Sequence, residues 1–433
     1  MMRTIHPGDA AYDTERDGFQ QAGRHRPELI VAATGAADVR EAVAYAADRE
    51  LPIAVQATGH GLVSTAESGV LVSTRAMRGV RVDAQARTAW LEAGVRWQEV
   101  IEAAARHGLA PLSGSSPHVG AVGYILGGGL GLLARQYGYA ADHVRAVEVV
   151  TADARPHRLT PDDELFGALL GGGGNFGVVT GLEIGLLPVT RLYGGGLHFP
   201  ASADVLRAWR DWTETVPDEL TSAIALIPLP DLPTVAEPLR GRHVAHVRIA
   251  YTGDAASGER LVAPLRQAGP ILLDTLGELP YTESGAISND PPFAHAYTGA
   301  SAMLGDLDVD TAFALAGPGA PVPVVLQVRH LGGALAKPSA AVIGHRDARY
   351  ALHVVSGLDG QDPASVRAAH RHLTKALNSS GAFPNFHYGP ATAEQVRSAY
   401  DPDTYRRLTR LKAAHDPANL FRFGFAIPPT PGI

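Results

Sequence analysis

Between Pro111 and Gly138 the chain reads PLSGSSPHVGAVGYILGGGLGLLARQYG, with eight glycines, one arginine, no carboxylate and many Val, Ile, Leu, Ala and Tyr side chains. Glycine is favoured where the backbone takes a positive φ or comes very close to another group, and it costs entropy elsewhere. A solvent loop of this glycine content would draw on Ser, Asp and Lys. A buried, apolar and glycine-dense run is expected where main chain lies against a large, flat or charged ligand.

At 433 residues the chain is long enough for two or three domains. Hydrophobic residues are 45% and charged residues 19%, an ordinary globular balance. The net charge of −7, without a long basic run, argues against nucleic acid or an anionic membrane as partner. There is no cysteine, which removes disulfides, thiolate metal sites and cysteine nucleophiles. The histidines are scattered, so no metal site is expected. The polar N-terminal stretch lacks the apolar core of a signal peptide, and no apolar run reaches membrane-spanning length, so a cytoplasmic location is expected. Oligomeric state cannot be read from the sequence.

Leu29–Ala33 reads as a buried strand, followed by a helix that Asp38 could cap and a second strand from Pro52. This is a βαβ pattern with parallel strands. Gly69–Ser73 is a further strand, Val80–Val82 and Thr88–Ala93 a hairpin, Trp97–His107 an amphipathic helix, and Val144–Thr151 another strand. From Arg191 the texture changes to longer strands (222–229, 244–251, 324–330, 350–356) alternating with helices at 203–215 and 258–267. The class is therefore α+β, with an antiparallel sheet covered by helices on one side. Three pieces are expected: a cofactor-binding domain over 1–190, a substrate-binding domain over 191–380, and a C-terminal segment, 381–433, that returns to the first. That segment is expected to hold one helix, 392–414. Pro- and Gly-rich stretches at 230–240, 280–300 and 316–323 read as rim loops.

Two further glycine motifs flank the central run. Gln56-Ala57-Thr58-Gly59-His60-Gly61 turns out of a strand, and such a turn can present successive N–H groups to an anion. Taken alone it is more simply a tight turn with a surface histidine. Gly171–Gly174 is followed at once by the apolar NFGVVT, which suggests a loop ordered against a ligand rather than a flexible turn. Neither a strand-fed GxGxxG, a phosphate-binding GxxxxGK[ST] loop nor a Gly-x-Ser-x-Gly elbow is present.

Taken together, these stretches resemble the vanillyl-alcohol-oxidase-like flavoproteins, specifically the berberine-bridge-enzyme-like branch with its cresol-methylhydroxylase-type FAD domain. The family's Gly-Gly-His loop is matched by Thr58-Gly59-His60, and its CPTVGVGGYxLGGGxG segment by Ser116 through Gly131. Its RGGGGNFGVVT stretch is matched by Leu170 through Thr180, and its KxxxDPxNLFR by Lys412 through Arg422. The resemblance spans nearly the whole chain. It implies FAD, bonded to His60. The implied cofactor-binding residues are Gln56, Ala57, Thr58, Gly59, His60 and Gly61 in the first loop, and Ser115, Ser116, Val119, Gly120, Gly123, Tyr124 and Gly127 in the second. Gly174, Gly177 and Val179 follow from the third, and Asn385 from the C-terminal segment.

Departures from the family pattern carry their own implications. Members that attach the flavin twice use a cysteine where Ser116 stands, so a single attachment through His60 is implied. Tyrosines that act as bases in sugar-oxidising members are replaced by Leu130 and Phe386. The catalytic candidates left are Gln327, Arg329, His330 and Tyr388, with His387 beside the last. Val119 stands where oxygen-reactive members carry valine. The implied activity is an oxidase: hydride passes from a small organic substrate to flavin, and O2 is reduced to H2O2. A carbohydrate or alcohol oxidase, and a flavoprotein that only shapes its ligand without net redox, are the alternatives.

Overall fold

The computed structural model describes residues 2–429. It contains three sheets. The first is built from β1 (Thr4–Ile5), β2 (Leu29–Ala32), β3 (Ile53–Gln56) and β4 (Val70–Ser73), in the order β1-β2-β4-β3. Here β4 lies parallel to both β2 and β3, so the βαβ pattern encloses a third strand. Strands β2 and β4 are buried on both faces, as parallel strands inside a covered sheet require. Helix α1 (Tyr12–Arg16) precedes β2, and α2 (Ala36–Ala47) covers the sheet with Val39, Ala42, Val43 and Ala46. The cap of α2 differs from expectation. Gly35 is the N-cap, and Asp38, one turn in, accepts from the Thr34 N–H at 2.8 Å.

The second sheet is antiparallel, ordered β5-β6-β9-β7-β8. It comprises β5 (Val80–Asp83), β6 (Thr88–Glu92), β7 (Val144–Val150), β8 (Pro156–Leu159) and β9 (Val178–Gly185). Helix α3 (Trp97–Ala105) packs beside it, and the glycine-rich run forms two short helices, α4 (Ala121–Leu126) and α5 (Ala134–Tyr137). Helix α6 (Glu164–Gly172) ends in the third glycine loop.

The third sheet has eight strands, all antiparallel: β10 (Arg191–Pro200), β11 (Leu220–Pro228), β12 (His243–Tyr251), β13 (Leu273–Asp274), β14 (Gly277–Pro280), β15 (Tyr297–Leu304), β16 (Val325–His330) and β17 (Tyr350–Gly357). Helices α7 (Ala203–Thr213), α8 (Ala255–Val262), α9 (Val309–Ala316) and α10 (Pro363–Ala376) lie on one face. That face contributes Ile224, Val247, Val328 and Leu352 to a core shared with Leu206, Trp209, Val262 and Leu373. Strands β10 and β15 and helices α9 and α10 were not legible in the sequence. In β10 the reason is Gly194-Gly195-Gly196, which erases the apolar alternation. Gly196 is glycine because a β-carbon there would stand 2.2 Å from the His246 ring.

The C-terminal helix is two, α11 (Ala393–Ser398) and α12 (Pro402–His415). Pro402 cannot continue a helix but starts one well, and Asp401 caps α12 by accepting from the Thr404 N–H at 2.9 Å. The chain then returns to the third glycine loop. Lys412, with no exposed surface, donates to Asp416 (2.5 Å), Asn175 O (2.8 Å) and Phe421 O (2.7 Å). Asp416 in turn accepts from the Leu420 and Phe421 N–H groups. Every donor of the ammonium is matched, which is the condition for burying it. Among the described residues, no helix is long and apolar enough to cross a membrane, and no group of three or more His, Cys, Asp or Glu is placed to hold a metal ion.

Candidate active site

The first two glycine loops are joined by one hydroxyl. Thr58 Oγ1 accepts from the Gly120 N–H (3.3 Å) and bonds the His60 Nδ1 (2.9 Å). The imidazole stacks on Phe19 with ring centres 3.9 Å apart, and the His60 carbonyl accepts from the Tyr297 hydroxyl at 2.7 Å. Burial holds the ring neutral by lowering its pKa to about 3, with Arg96 and His118 adding to the shift. Its Nε2 is buried and has no partner among the described residues.

The glycines of these loops divide into two kinds. Gly114, Gly129 and Gly131 make room for the Tyr124 ring: β-carbons there would come within 2.9, 2.7 and 2.9 Å of it. Gly61, Gly123, Gly173 and Gly174 have nothing within 4 Å of where a β-carbon would stand. Gly123 is exposed although every other residue of α4 is buried. A main-chain floor with open glycines, beside a neutral imidazole with a free nitrogen, fits FAD in its chemistry. The expected results differ for the two kinds. Gly131→Ala would drive a methyl to 2.3 Å from Ser113 O and is expected to cost roughly 1–3 kcal/mol in thermal melts. Gly123→Ala is expected to leave cofactor-free protein as stable or slightly more so, but to lower FAD uptake. Wild-type uptake by Gly123→Ala would place the cofactor elsewhere.

Some of the residues expected at the cofactor are engaged by the protein itself. Gln56 donates to the carbonyls of Arg16 and Asp17 and anchors the N-terminal segment. Asn385 accepts from Gly129 N–H (2.8 Å) and donates to Tyr124 O (3.1 Å), and it fills the space over Gly127. Gly177 is a close approach to Val150 O, and Val179 lies in the core. These contacts hold the loops in place. Ala57, Gly59 and Gly120 shape the joined loops, and Gly59 at φ 72° lets them touch Gly18. Ser116 and Val119 lie half-buried in the second loop, where Val119 O accepts from the Trp97 N–H at 3.0 Å. Phe19 and Asn175 were missed. Phe19 lies in a polar N-terminal stretch that also holds Tyr12, and nothing there singles it out. Asn175, in the third loop, donates to Phe425 O and accepts from the Ile427 N–H.

Opposite the loops lies the helix-free face of the third sheet. Strand alternation and register set two polar rows on it. One row runs Arg248, Ala223, Arg329, Ala351; the other runs His198, His246, Ala225, Gln327, His353. Gln327 Oε1, Arg329 Nη1 and His353 Nε2 are all buried without a partner. The His353 ring stacks on Phe386 at 4.8 Å and meets Tyr388 edge-on at 5.2 Å; the Arg329 guanidinium sits 4.4 Å over the same Phe386. Tyr388 in turn abuts Tyr297 at 5.3 Å, the tyrosine that holds the His60 loop. Burial raises Tyr388 to about 12, so its hydroxyl stays protonated, while burial and then Arg329 push His353 well below the ordinary histidine value. A cavity between the two sides is lined by Ser115, Leu130, Gly131, Ala223, Arg248 and Arg329, and Ser115 Oγ donates to Asp290 on the rim (2.6 Å).

Gln327, Arg329 and Tyr388 thus lie together around His353 and Phe386, and His330 does not. It lies one residue beyond Arg329, so its side chain turns to the helix-covered face, beside Tyr350 at 6.0 Å; Tyr350 bonds Thr213 of α7. His387 faces Phe425. His353 was missed, although alternation in YALHVVSG would have placed it with Ala351 and opposite Leu352. Arg248 was missed because nothing in HVAHVRIAY marks it as more than a strand cation.

Residues 27–160 match the family described as "FAD binding domain". The chain is 29% identical to (R)-6-hydroxynicotine oxidase of Paenarthrobacter nicotinovorans, over 98% of this chain and 96% of that protein. It is 26% identical to an FAD-linked oxidoreductase of Dictyostelium discoideum, over 93% and 89%. Among solved structures, 6-hydroxy-D-nicotine oxidase from Arthrobacter nicotinovorans superposes with a TM-score of 0.86 at 26% identity, covering 99% of this chain and 98% of that one. In fold alone, the Physcomitrella patens BBE-like 1 protein is similar, with a TM-score of 0.86 at 20% identity, covering 100% of this chain and 98% of that one.

Proposed function

We propose that this chain, an FAD-linked oxidoreductase similar along its whole length to the berberine-bridge-enzyme-like proteins, is an oxidase of a small organic molecule with its FAD bonded to His60. The observation that carries this reading is the convergence of three unpartnered buried polar atoms, on Gln327, Arg329 and His353, opposite a loop with a free histidine nitrogen. Bound FAD would supply the hydride acceptor and pass the electrons to O2, giving H2O2.

The protein's own work is to hold the substrate and manage its proton. His353 is neutral and offers Nε2 as the acceptor for a substrate O–H or N–H, while the Tyr388 hydroxyl stays protonated and serves as a donor. A histidine this hard to protonate is a weak base. It suits an amine reacting in its neutral form, whose nitrogen lone pair assists the loss of hydride. Tyr388 and the Phe386 ring under His353 exclude water from that pair.

Two measurements test the reading. Protein reduced with dithionite and then mixed with air should regain its yellow colour within seconds and release one peroxide per flavin. Reoxidation over many minutes would make it a dehydrogenase. With any amine or alcohol that bleaches the flavin anaerobically, His353→Ala should lower the bleaching rate by about 10²-fold or more at unchanged flavin content. An unchanged rate would remove His353 from the chemistry.

A further inference from the structure

Two guanidinium groups wall the cavity between the glycine loops and the third sheet. Arg248 and Arg329 face each other across Ala223, each paired with that alanine in register on a neighbouring strand. Their α-carbons are therefore two strand spacings apart, about 10 Å. The methyl of Ala223 leaves the space between them open, and both arginines line the cavity. Each guanidinium has lost water, and burial lowers the pKa of both, with Arg329 pressed further by Arg248.

The carboxylate facing them is Asp290, 3.9 Å from Arg248 and already accepting from Ser115. Arg248 also donates to His246 Nδ1 (3.3 Å) and Ser288 O (3.2 Å), which orient its fork without neutralising it. Arg329 packs on the Phe386 face, and among the described residues its Nη1 has no acceptor. The flanking histidines His246 and His353 are held neutral by burial, so they add no charge. Two cations against one carboxylate leave a single positive charge in a site with little water. An uncompensated buried charge is costly unless a ligand completes it.

We propose that the substrate of this enzyme carries a carboxylate, held between Arg248 and Arg329 over Ala223. The surplus is one charge, which a carboxylate cancels; a phosphate brings nearly two. The planar fork of arginine matches a carboxylate through two parallel hydrogen bonds. This assignment rests on the cavity being the substrate site, and it directs the oxidised C–H of a carboxylate-bearing molecule toward His353 and Tyr388.

The test is binding to the FAD-loaded protein, read by calorimetry and by perturbation of the visible flavin spectrum. Benzoate should bind at least tenfold more tightly than benzamide, its neutral counterpart, and more tightly than inorganic phosphate. Arg329→Met and Arg248→Met should each weaken benzoate at least tenfold and leave benzamide unchanged. Arg248→Lys, which keeps the charge but not the fork, covers the case in which the methionine variant fails to fold. Equal affinity for benzoate and benzamide in the native protein would overturn the proposal, as would tighter binding of phosphate. It would equally fall if the arginine variants shifted the flavin spectrum without ligand and left benzoate affinity intact, because the charges would then serve the cofactor. A protein that selects benzoate but is slowly reoxidised by air loses the oxidase reading and keeps this one. Fast reoxidation without benzoate selection does the reverse.

Discussion

Acid-denatured protein of the native sequence is expected to stay yellow, and His60→Ala is expected to give a colourless pellet with all flavin in the supernatant. The effect is all-or-none because it reports a covalent bond. The imidazole is neutral at any working pH, since burial holds its pKa near 3. When Nδ1 donates its proton to Thr58, the lone pair of Nε2 is left free, and that atom has no other partner. Stacking on Phe19 and the Tyr297 bond to its carbonyl fix the ring against rotation. There is no cysteine in the chain to form a second, thioether link. A colourless native pellet would remove the covalent link and leave FAD held by contact alone. A yellow His60→Ala pellet would move the link to another residue.

The second large effect is at the other end of the chain. Lys412→Ala is expected to destabilise the protein by about 3–5 kcal/mol, because it leaves the Asp416 carboxylate buried without its counter-ion. It also orphans the carbonyls of Asn175 and Phe421. Asn175 belongs to the third glycine loop and bonds Phe425 and Ile427, so the loss should loosen both that loop and the C-terminal segment. Melting temperature and the rate of proteolysis near the C-terminus are the measurements. The control is Arg406→Ala, which breaks an exposed ion pair with Asp403 on the same helix and is expected to cost no more than about 1 kcal/mol. Equal losses in the two variants would show that the buried pair carries no special weight.

The two predictions differ in how far the sequence leads to them. His60 and Lys412 both sit in short motifs that stand out through their resemblance to the family's pattern. The glycine run behaves the same way, but the structure divides its meaning. Gly123 opens on space for a ligand, while Gly114, Gly129 and Gly131 make room for Tyr124. Residue type cannot separate those two uses, because both need the absence of a β-carbon.

What the sequence determined by itself was the cofactor class, the α+β organisation and the helix-covered antiparallel sheet. Glycine loops and apolar alternation are local, and each is set by a few neighbouring residues. Only the tertiary structure decided which polar side chains meet. His330 and Arg329 are adjacent in the chain yet point to opposite faces, because side chains alternate along a strand. Arg248 and Arg329 are far apart in the chain, yet both pair with Ala223. His353 joins them through the register of β16 with β17. Register is set by long-range hydrogen bonding and by the helix-covered core, and those are properties of the whole sheet that no single stretch of sequence contains.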